Sequence, residues 1–561
     1  MNLLKRNPYA FIIAVLIIGI YFNTLKNAFQ FDDIIHISNN ERIKQLSNLP
    51  EMLTESFSRP ILFATFAINY CISGSSTESY HVVNILLHIG VSILIYFILL
   101  NTVKMYEKSI SHHTPFLSAL IFALHPINTE SVTYIISRSS ILSTFFYLLS
   151  LLMFIKANKK RGKGQEVRCK KSGFWFLTSG FCFIFALGSK EDAVTLPIII
   201  LFYYLFFISS SRNRLNPIRS NLKVILLFIL LGLIYPILRY LKYDMIGTGE
   251  AMGIYTSLTY LLTEINVIIF YYLKLLLLPI NLNVDPDIRP VISLLNLSAL
   301  TSIFITFLIV ISAFKFRKKD PIISFSIVWF FITLTPTSSI FPLWDAAAEH
   351  RVYLSAVGFS IFLAQLIGRI DTKTRFFPRT YFMCGGRMTN FVLCLFIIIL
   401  LSFSLCSIKR NFVWKDRVSL WEDAVRKSPS KARPHAALGL AYNEEKGLID
   451  EAIRQYRIAL GIKPLYFDAL NNLGIALDMK GVLDGALQKY ELALLMKPNS
   501  PELYNNIAII HAKRGEMDKA IEGFKKTLEL APNYMKAKKN LEIALKGMTN
   551  FEGSTSVDRY R

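Results

Sequence analysis

Cysteine is scarce in this 561-residue chain: there are six, at 71, 169, 182, 384, 394 and 406, with no Cys-x-x-Cys pair. That spacing supports neither a disulfide framework nor a zinc site. Charge is scarce as well. Charged residues make up 18% of the chain, against about 25% in a typical globular protein. Hydrophobic residues make up 53%, and the mean hydropathy is +0.41. These figures exclude an ordinary soluble protein, because the apolar residues fall into runs long enough to cross a bilayer. Within those runs no Gly-rich strand–helix turn occurs, so a nucleotide-sugar fold has no seat. Nor does a small-x-small cleavage site follow the first run, which leaves through Asn27-Ala28-Phe29-Gln30. Lys5 and Arg6 precede that run, which reads as a retained helix with its N-terminus inside.

What is abundant is positive charge. The chain has 62 Lys and Arg against 39 Asp and Glu, a net +23. Residues 409–561 hold 26 basic and 19 acidic residues, net +7, which leaves +16 for residues 1–408. That excess crowds into links between apolar runs. Lys156, Lys159, Lys160, Arg161, Lys163, Arg168, Lys170 and Lys171 form one. The others are Arg212/Arg214/Arg219, Lys315/Arg317/Lys318/Lys319 and Lys373/Arg375/Arg379/Arg387. This is the positive-inside pattern of a membrane protein, and no nucleic acid is needed to explain the charge.

After the first run, from about Tyr9 to Leu25, the crossings read as roughly 80–101, 115–124 with its continuation, 131–155, 174–188, 193–208, 223–240, 258–279, 293–314, 321–341, 352–369 and 390–408. The links at 156–171 and 315–319 both belong inside, so 223–240 and 258–279 do not both cross unless a re-entrant piece restores parity. About eleven spans follow, with the N-terminus cytoplasmic and the C-terminal part extracytoplasmic. The Lys/Asn/Ile-rich composition points to a prokaryotic cytoplasmic membrane.

The C-terminal part repeats every 34 residues: Pro464/Pro498/Pro532, Gly447/Gly481/Gly515, Ala452/Ala486/Ala520 and Tyr456/Tyr490/Phe524. This resembles the tetratricopeptide repeat, a stack of helix pairs that presents a binding surface for a protein or peptide. The first copy carries one extra residue before Gly447, and the third has Ala508 where glycine is usual. The aromatic is expected to fill the gap to the next repeat. A half-repeat with Trp421, Ala424 and Pro429 comes first, and a helix over 534–547 reads as the cap. The domain reading is therefore a membrane domain over 1–408, a linker and half-repeat over 409–431, repeats with their cap over 432–547, and a disordered tail over 548–561. The fold class is all-α: a polytopic membrane bundle followed by an α-solenoid.

Chemistry belongs to the membrane part. Five polar segments fall on the expected extracytoplasmic side. The first holds Asp32-Asp33, Arg59-Pro60 and Tyr80 to Asn84 with His81. The second is His125-Pro126 through Glu130, with Arg138 beyond it. Then come Ser189-Lys190-Glu191-Asp192, Asp285-Pro286-Asp287, and Trp344-Asp345 through Glu349-His350-Arg351. Charges that run into apolar segments are costly there and face a cavity or a partner; Arg138, Lys190, Glu191 and Arg351 are of this kind. A carboxylate pair with converging cations suits transfer from a phosphate-linked donor. The base takes a hydroxyl proton while the cations stabilise the leaving phosphate. Two carboxylates alone lack a ligand set for a divalent ion, so no metal is expected.

The order Phe31-Asp32-Asp33, Arg59-Pro60, His81-x-x-Asn84-x-x-x-His88, His125-Pro126-x-x-Thr129-Glu130, Arg138, Ser189-Lys190-Glu191 and Glu349-x-Arg351-x-Tyr353-Leu354, ahead of the repeats, resembles the transmembrane and tetratricopeptide repeat-containing protein O-mannosyltransferases. These are similar in architecture to the C-type glycosyltransferases. The resemblance implies transfer of mannose or another hexose from a polyprenyl-phosphate donor to Ser/Thr hydroxyls of proteins, with inversion. The lipid-linked sugar is a substrate, and no cofactor is implied. Asp32 or Asp33 is then the catalytic acid residue, and His125, Arg138, Lys190 and Arg351 surround the lipid phosphate. Glu130, Glu191, His81 and Glu349 are further candidates. The expected partners are membrane lipid and an acceptor protein bound through the repeats. Two other classes compete. One is a non-catalytic membrane-anchored scaffold for an envelope complex. The other is a transporter, which needs polar midplane residues; only Glu264 and Lys274 lie in the 258–279 run, and they read as isolated.

Overall fold

A computed structural model describes residues 7–55, 59–105, 111–158, 172–208, 216–243, 255–373 and 390–546. The basic clusters at 159–171, at Arg212/Arg214 and at Arg375/Arg379/Arg387 lie outside the described residues, as does the tail over 548–561. Every regular element among the described residues is a helix. The chain forms two compact units, one of residues 1–284 and 288–415, the other of residues 285–287 and 416–561.

Among the described residues of the first unit, eight helices are long and apolar enough to cross a membrane: Thr77–Met105, Ile135–Ala157, Glu191–Ile208, Leu222–Lys242, Ser257–Leu277, Leu297–Phe316, Glu349–Ile370 and Val392–Val413. Five shorter apolar helices accompany them: Pro8–Thr24, Pro60–Ser73, Thr114–Leu124, Ser172–Leu187 and Pro321–Leu334. Both Leu222–Lys242 and Ser257–Leu277 have spanning length. The chain is thus a multi-pass membrane protein. Several helices begin on proline, at Pro8, Pro60 and Pro321 among others. Proline's fixed φ suits a first turn, whose N–H groups have no partner within the helix. Leu222–Lys242, Leu297–Phe316 and Val392–Val413 leave most of their apolar surface uncovered by protein, as lipid-facing helices do. One continuous core includes Tyr21, Phe122, Tyr147, Trp329 and Tyr353, and Phe228 and Phe396 reach it from two of the outer helices.

The apolar stretch from 114 to 157 is not two plain crossings. Its helix stops at Leu124, where His125 is held extended ahead of Pro126, the conformation proline imposes on its predecessor. Short turns follow at Pro126–Asn128, Thr129–Thr133 and Ile135–Ser137 before the helix resumes at Arg138. Every residue from 117 to 144 is buried. Irregular backbone at that depth must have its N–H and C=O groups satisfied by protein. Side chains from elsewhere do so. His88 Nε2–H donates to the Ala123 carbonyl (3.1 Å), Ser407 to Leu124 (2.9 Å) and Asn84 to Val132 (3.1 Å). The Tyr353 hydroxyl donates in turn to His88 Nδ1 (2.6 Å).

The second unit carries the helix pairs that the 34-residue period predicts, from Arg417–Lys427 to the closing Met535–Leu545. The extra residue of the first copy appears as a π-turn over Tyr442–Lys446, the usual way a helix absorbs one insertion. Gly447 and Gly481 end their helices at φ +63° and +79°, where a side chain is strained. The repeat aromatic shares a core with the next copy, Tyr456 with Leu470 and Leu473. It lies on the small residue of its own copy: a Cβ on Gly474 would fall 2.5 Å from the Tyr490 ring, and one on Gly439 2.8 Å from Tyr456. Asp285 belongs here too, paired with Lys431 and, at 2.7 Å, with Arg433 Nε.

Candidate functional site

The two neighbouring aspartates have different surroundings. Asp33 is buried, and both of its oxygens accept backbone N–H groups, from Gln30 (3.0 Å) and from Ile136 (2.7 Å). It ties the loop after the first helix to the broken 124–137 backbone. Burial pushes its carboxyl up to about 7, although those two amides and one from Ile135 pull it down. Asp32 is exposed. Its backbone N–H donates to the Tyr134 hydroxyl (3.2 Å), and its carboxylate lies within electrostatic range of His36 and Arg59. Phe31 before it sits at φ +44°, rare for a side-chain-bearing residue. The Phe31 ring is edge-on to Tyr134, which stacks on Trp414. That aromatic wedge holds the strained residue in place, and strain held by its surroundings is a mark of functional sites.

A run of buried and half-buried charges leads away from Asp32. Arg59 pairs with Glu191 at 3.5 Å. Burial works against the Arg59 charge, but Glu191, Asp192 and Asp32 outweigh it and hold the guanidinium above its ordinary range. Lys190 Nζ meets Asp192 at 2.9 Å and donates to the Ser140 hydroxyl at 3.1 Å. Next is His350, whose Nδ1 lies 2.5 Å from Glu130 Oε1. Arg410, Arg351 and the His350 and Glu349 backbone surround the Glu130 carboxyl. Glu349 accepts from Asn283 N–H at 2.5 Å and lies 3.6 Å from Arg410. Arg351 donates to the Asp345 carbonyl (2.6 Å) and faces Glu264, Tyr260 and Tyr272.

This cluster brings together Asp32, Lys190, Glu191, Glu130, Glu349 and Arg351 among the residues expected from sequence. Three others are held elsewhere. His125 is enclosed, with Nδ1 accepting from Ile127 N–H (3.1 Å) and Nε2–H donating to the Leu276 carbonyl (2.9 Å). Both ring nitrogens are engaged, which leaves none for a phosphate. Arg138 is fully buried and spends its donors on Asn84 (2.7 Å), Asn69 (3.0 Å) and the Tyr80 carbonyl (3.0 Å), under the Phe66 ring. His81 is buried against the Asn27 carbonyl (3.2 Å). All three bond neutral protein groups, and Asn84 and His88 on the His81 helix serve the broken backbone. Conversely, Glu264 is not isolated: it is buried opposite Arg351, Tyr260 and Ser338. Lys274 is exposed. Sequence reasoning left His350, Arg59 and Glu264 off the candidate list; adjacency to Arg351 was the available signal for His350.

The tetratricopeptide repeat family model matches residues 501–534, the third copy. Over most of its length the chain is similar to protein O-mannosyl-transferases. It is 25% identical to one from Caenorhabditis elegans over 80% of this chain and 61% of that protein. It is 24% identical to the human TMTC1 protein over 81% of this chain and 55% of that one. The chain thus spans between half and two thirds of the length of these relatives, and the resemblance read from its motifs holds. Among solved structures, the MamA protein is 21% identical over 26% of this chain and 76% of that one, with a TM-score of 0.22.

Proposed function

We propose that this protein is a membrane-embedded glycosyltransferase that moves a hexose, mannose by analogy with its relatives, from a polyprenyl-phosphate donor to Ser or Thr hydroxyls of proteins. The observation that carries this reading is the division of labour between the two aspartates. Asp33 is consumed by backbone amides, while Asp32 is exposed at the end of a run of cations reaching through Arg59 and Lys190 toward Arg351. A carboxylate facing cations is what inverting transfer requires. Asp32 takes the hydroxyl proton as oxygen attacks C1 from one face, and the departing phosphate collects charge on the cationic side. Lys190 and Arg351 serve that phosphate, and Arg59 stands between it and the base. On this reading the N-terminus is cytoplasmic, the chemistry and the repeats are extracytoplasmic, and the repeats hold the acceptor or a partner protein.

The test uses the purified full chain with polyprenyl-phosphate hexoses and a Ser/Thr-rich acceptor, read by mass spectrometry. Asp32→Asn is expected to lower transfer by at least about a hundredfold without changing the melting temperature. Full activity in Asp32→Asn overturns the assignment of the base. A wild-type chain that transfers no hexose from any such donor, yet restores a deletion strain through residues 390–561 alone, points to the scaffold instead.

A further inference from the structure

The Glu130–His350 pair has a form that neither the transfer reading nor the motifs assign. Glu130 comes from the short helix inside the broken backbone and His350 from the turn that opens the Tyr353 helix, 220 residues away in sequence. The carboxylate is buried and faces Nδ1 at 2.5 Å, while the imidazole is partly open. Nε2 has no hydrogen-bond partner among the described residues. A buried carboxylate on one ring nitrogen fixes the tautomer and the ring plane, supports the imidazolium, and leaves the second nitrogen aimed outward. The charged groups facing the ring are Lys190, Asp192, Arg59, Arg351 and Glu130, with Arg410 behind Glu130. Nε2 therefore stands in the region where cations gather for an anion.

We propose that His350, oriented by Glu130, is the proton donor to the departing phosphate oxygen; the inference rests on the glycosyl-transfer reading above. The donor is a phosphodiester monoanion. When the C1–O bond breaks, its electron pair goes to the phosphate oxygen, which becomes part of a phosphomonoester with a second pKa near 6. The Nε2 proton moves to that oxygen as the hydroxyl proton of the acceptor moves to Asp32. Solvent returns the proton from Asp32 to His350 between turnovers, so atoms and charge balance. Glu130 is a positioning residue: it touches neither substrate nor product.

Two measurements on the full chain in detergent test this. The first is the pH profile of kcat. The wild type is expected to lose activity on the alkaline side as His350 gives up its proton. His350→Gln is expected to lower kcat about a hundredfold and to erase that limb, while KM changes little. Glu130→Gln is expected to keep the limb but shift it toward acid, since the imidazolium loses its counter-charge. The second is calorimetric binding of farnesyl phosphate, a short prenyl monophosphate, at pH 6.5. His350→Gln is expected to weaken it about tenfold, the size of one charge-assisted hydrogen bond. Wild-type kcat and an unchanged pH profile in His350→Gln overturn the proposal while leaving the transfer reading intact. Binding that depends on His350 in a chain without transferase activity does the reverse, keeping the phosphate contact and overturning the transfer. A wild type that neither binds nor transfers overturns both.

Discussion

The two units treat charge in opposite ways. In the repeat unit many ion pairs lie on the surface, such as Lys480 with Asp450 and Lys526 with Glu529 at 2.8 Å, all substantially exposed, and Asp285 with Lys431 and Arg433 is a buried exception. In the membrane unit Arg138, Lys190, Glu130, Glu349 and Arg410 are each almost fully buried. Exposed pairs contribute about 0–1 kcal/mol, so the repeats can lose any one of them. Buried charges cost several kcal/mol each unless every donor and acceptor is met. A chain that keeps a row of them between apolar helices is spending stability on something other than stability. Where a charge is completely satisfied by neutral groups, as Arg138 is, it is architectural. Where the charges meet one another, as from Arg59 to Arg351, they are the groups the proposed transfer calls on.

The contrast can be broken most forcefully at Arg138. Arg138→Met strands the Asn84 and Asn69 oxygens inside the protein and is expected to cost about 2–6 kcal/mol, about 1–3 for each, seen as a large fall in the melting temperature of the detergent-solubilised chain. Asp33→Asn comes next. It turns an amide N–H₂ toward a backbone N–H and should cost about 1–3 kcal/mol. It also removes a pH dependence. The unfolded carboxyl ionises near 3.8 and the folded one near 7, so the folded state holds the extra proton between them. Wild-type stability should fall as pH rises through that window and level off above it, whereas the Asn variant lacks this component. Denaturation midpoints at pH 5 and pH 8 decide it.

Gly474→Ala tests whether packing, not charge, governs the repeats. The added methyl meets the Tyr490 ring and should destabilise by about 1–3 kcal/mol, with hydrogen-exchange protection lost across Phe467–Met496 and not in the membrane helices. The smallest effect belongs to Lys480→Ala, expected within about 0.5 kcal/mol. A loss comparable to that of Arg138→Met would erase the contrast between the units.

Much of this was legible from spacing. The 34-residue period predicts the helix pairs, and the extra residue before Gly447 predicts an irregularity where the π-turn lies. The long apolar runs predict the spans, although the run after 114 conceals a break that only His125-Pro126 announces. Of the candidate residues, Lys190, Glu191 and Arg351 do converge with Asp32. His125, Arg138 and His81 look the same in sequence, as ionisable residues beside apolar runs, yet serve backbone and amide groups. No local pattern distinguishes a charge aimed at a cleft from one aimed at a carbonyl, because that depends on which distant segment packs against it. Arg59 meets Glu191 132 residues on, and His350 meets Glu130 220 residues back.

The sequence by itself determined the class of molecule, for reasons that are local and additive. Hydropathy over about 20 residues sets a span, the basic links set the expected sides, and small and aromatic residues at fixed offsets set a repeat. The tertiary structure alone decided which of two adjacent aspartates is free. Asp32 and Asp33 have the same chemistry and nearly the same neighbours in the chain. What separates them is that the Ile136 amide, exposed by a broken helix 103 residues further on, reaches Asp33 and leaves Asp32 open.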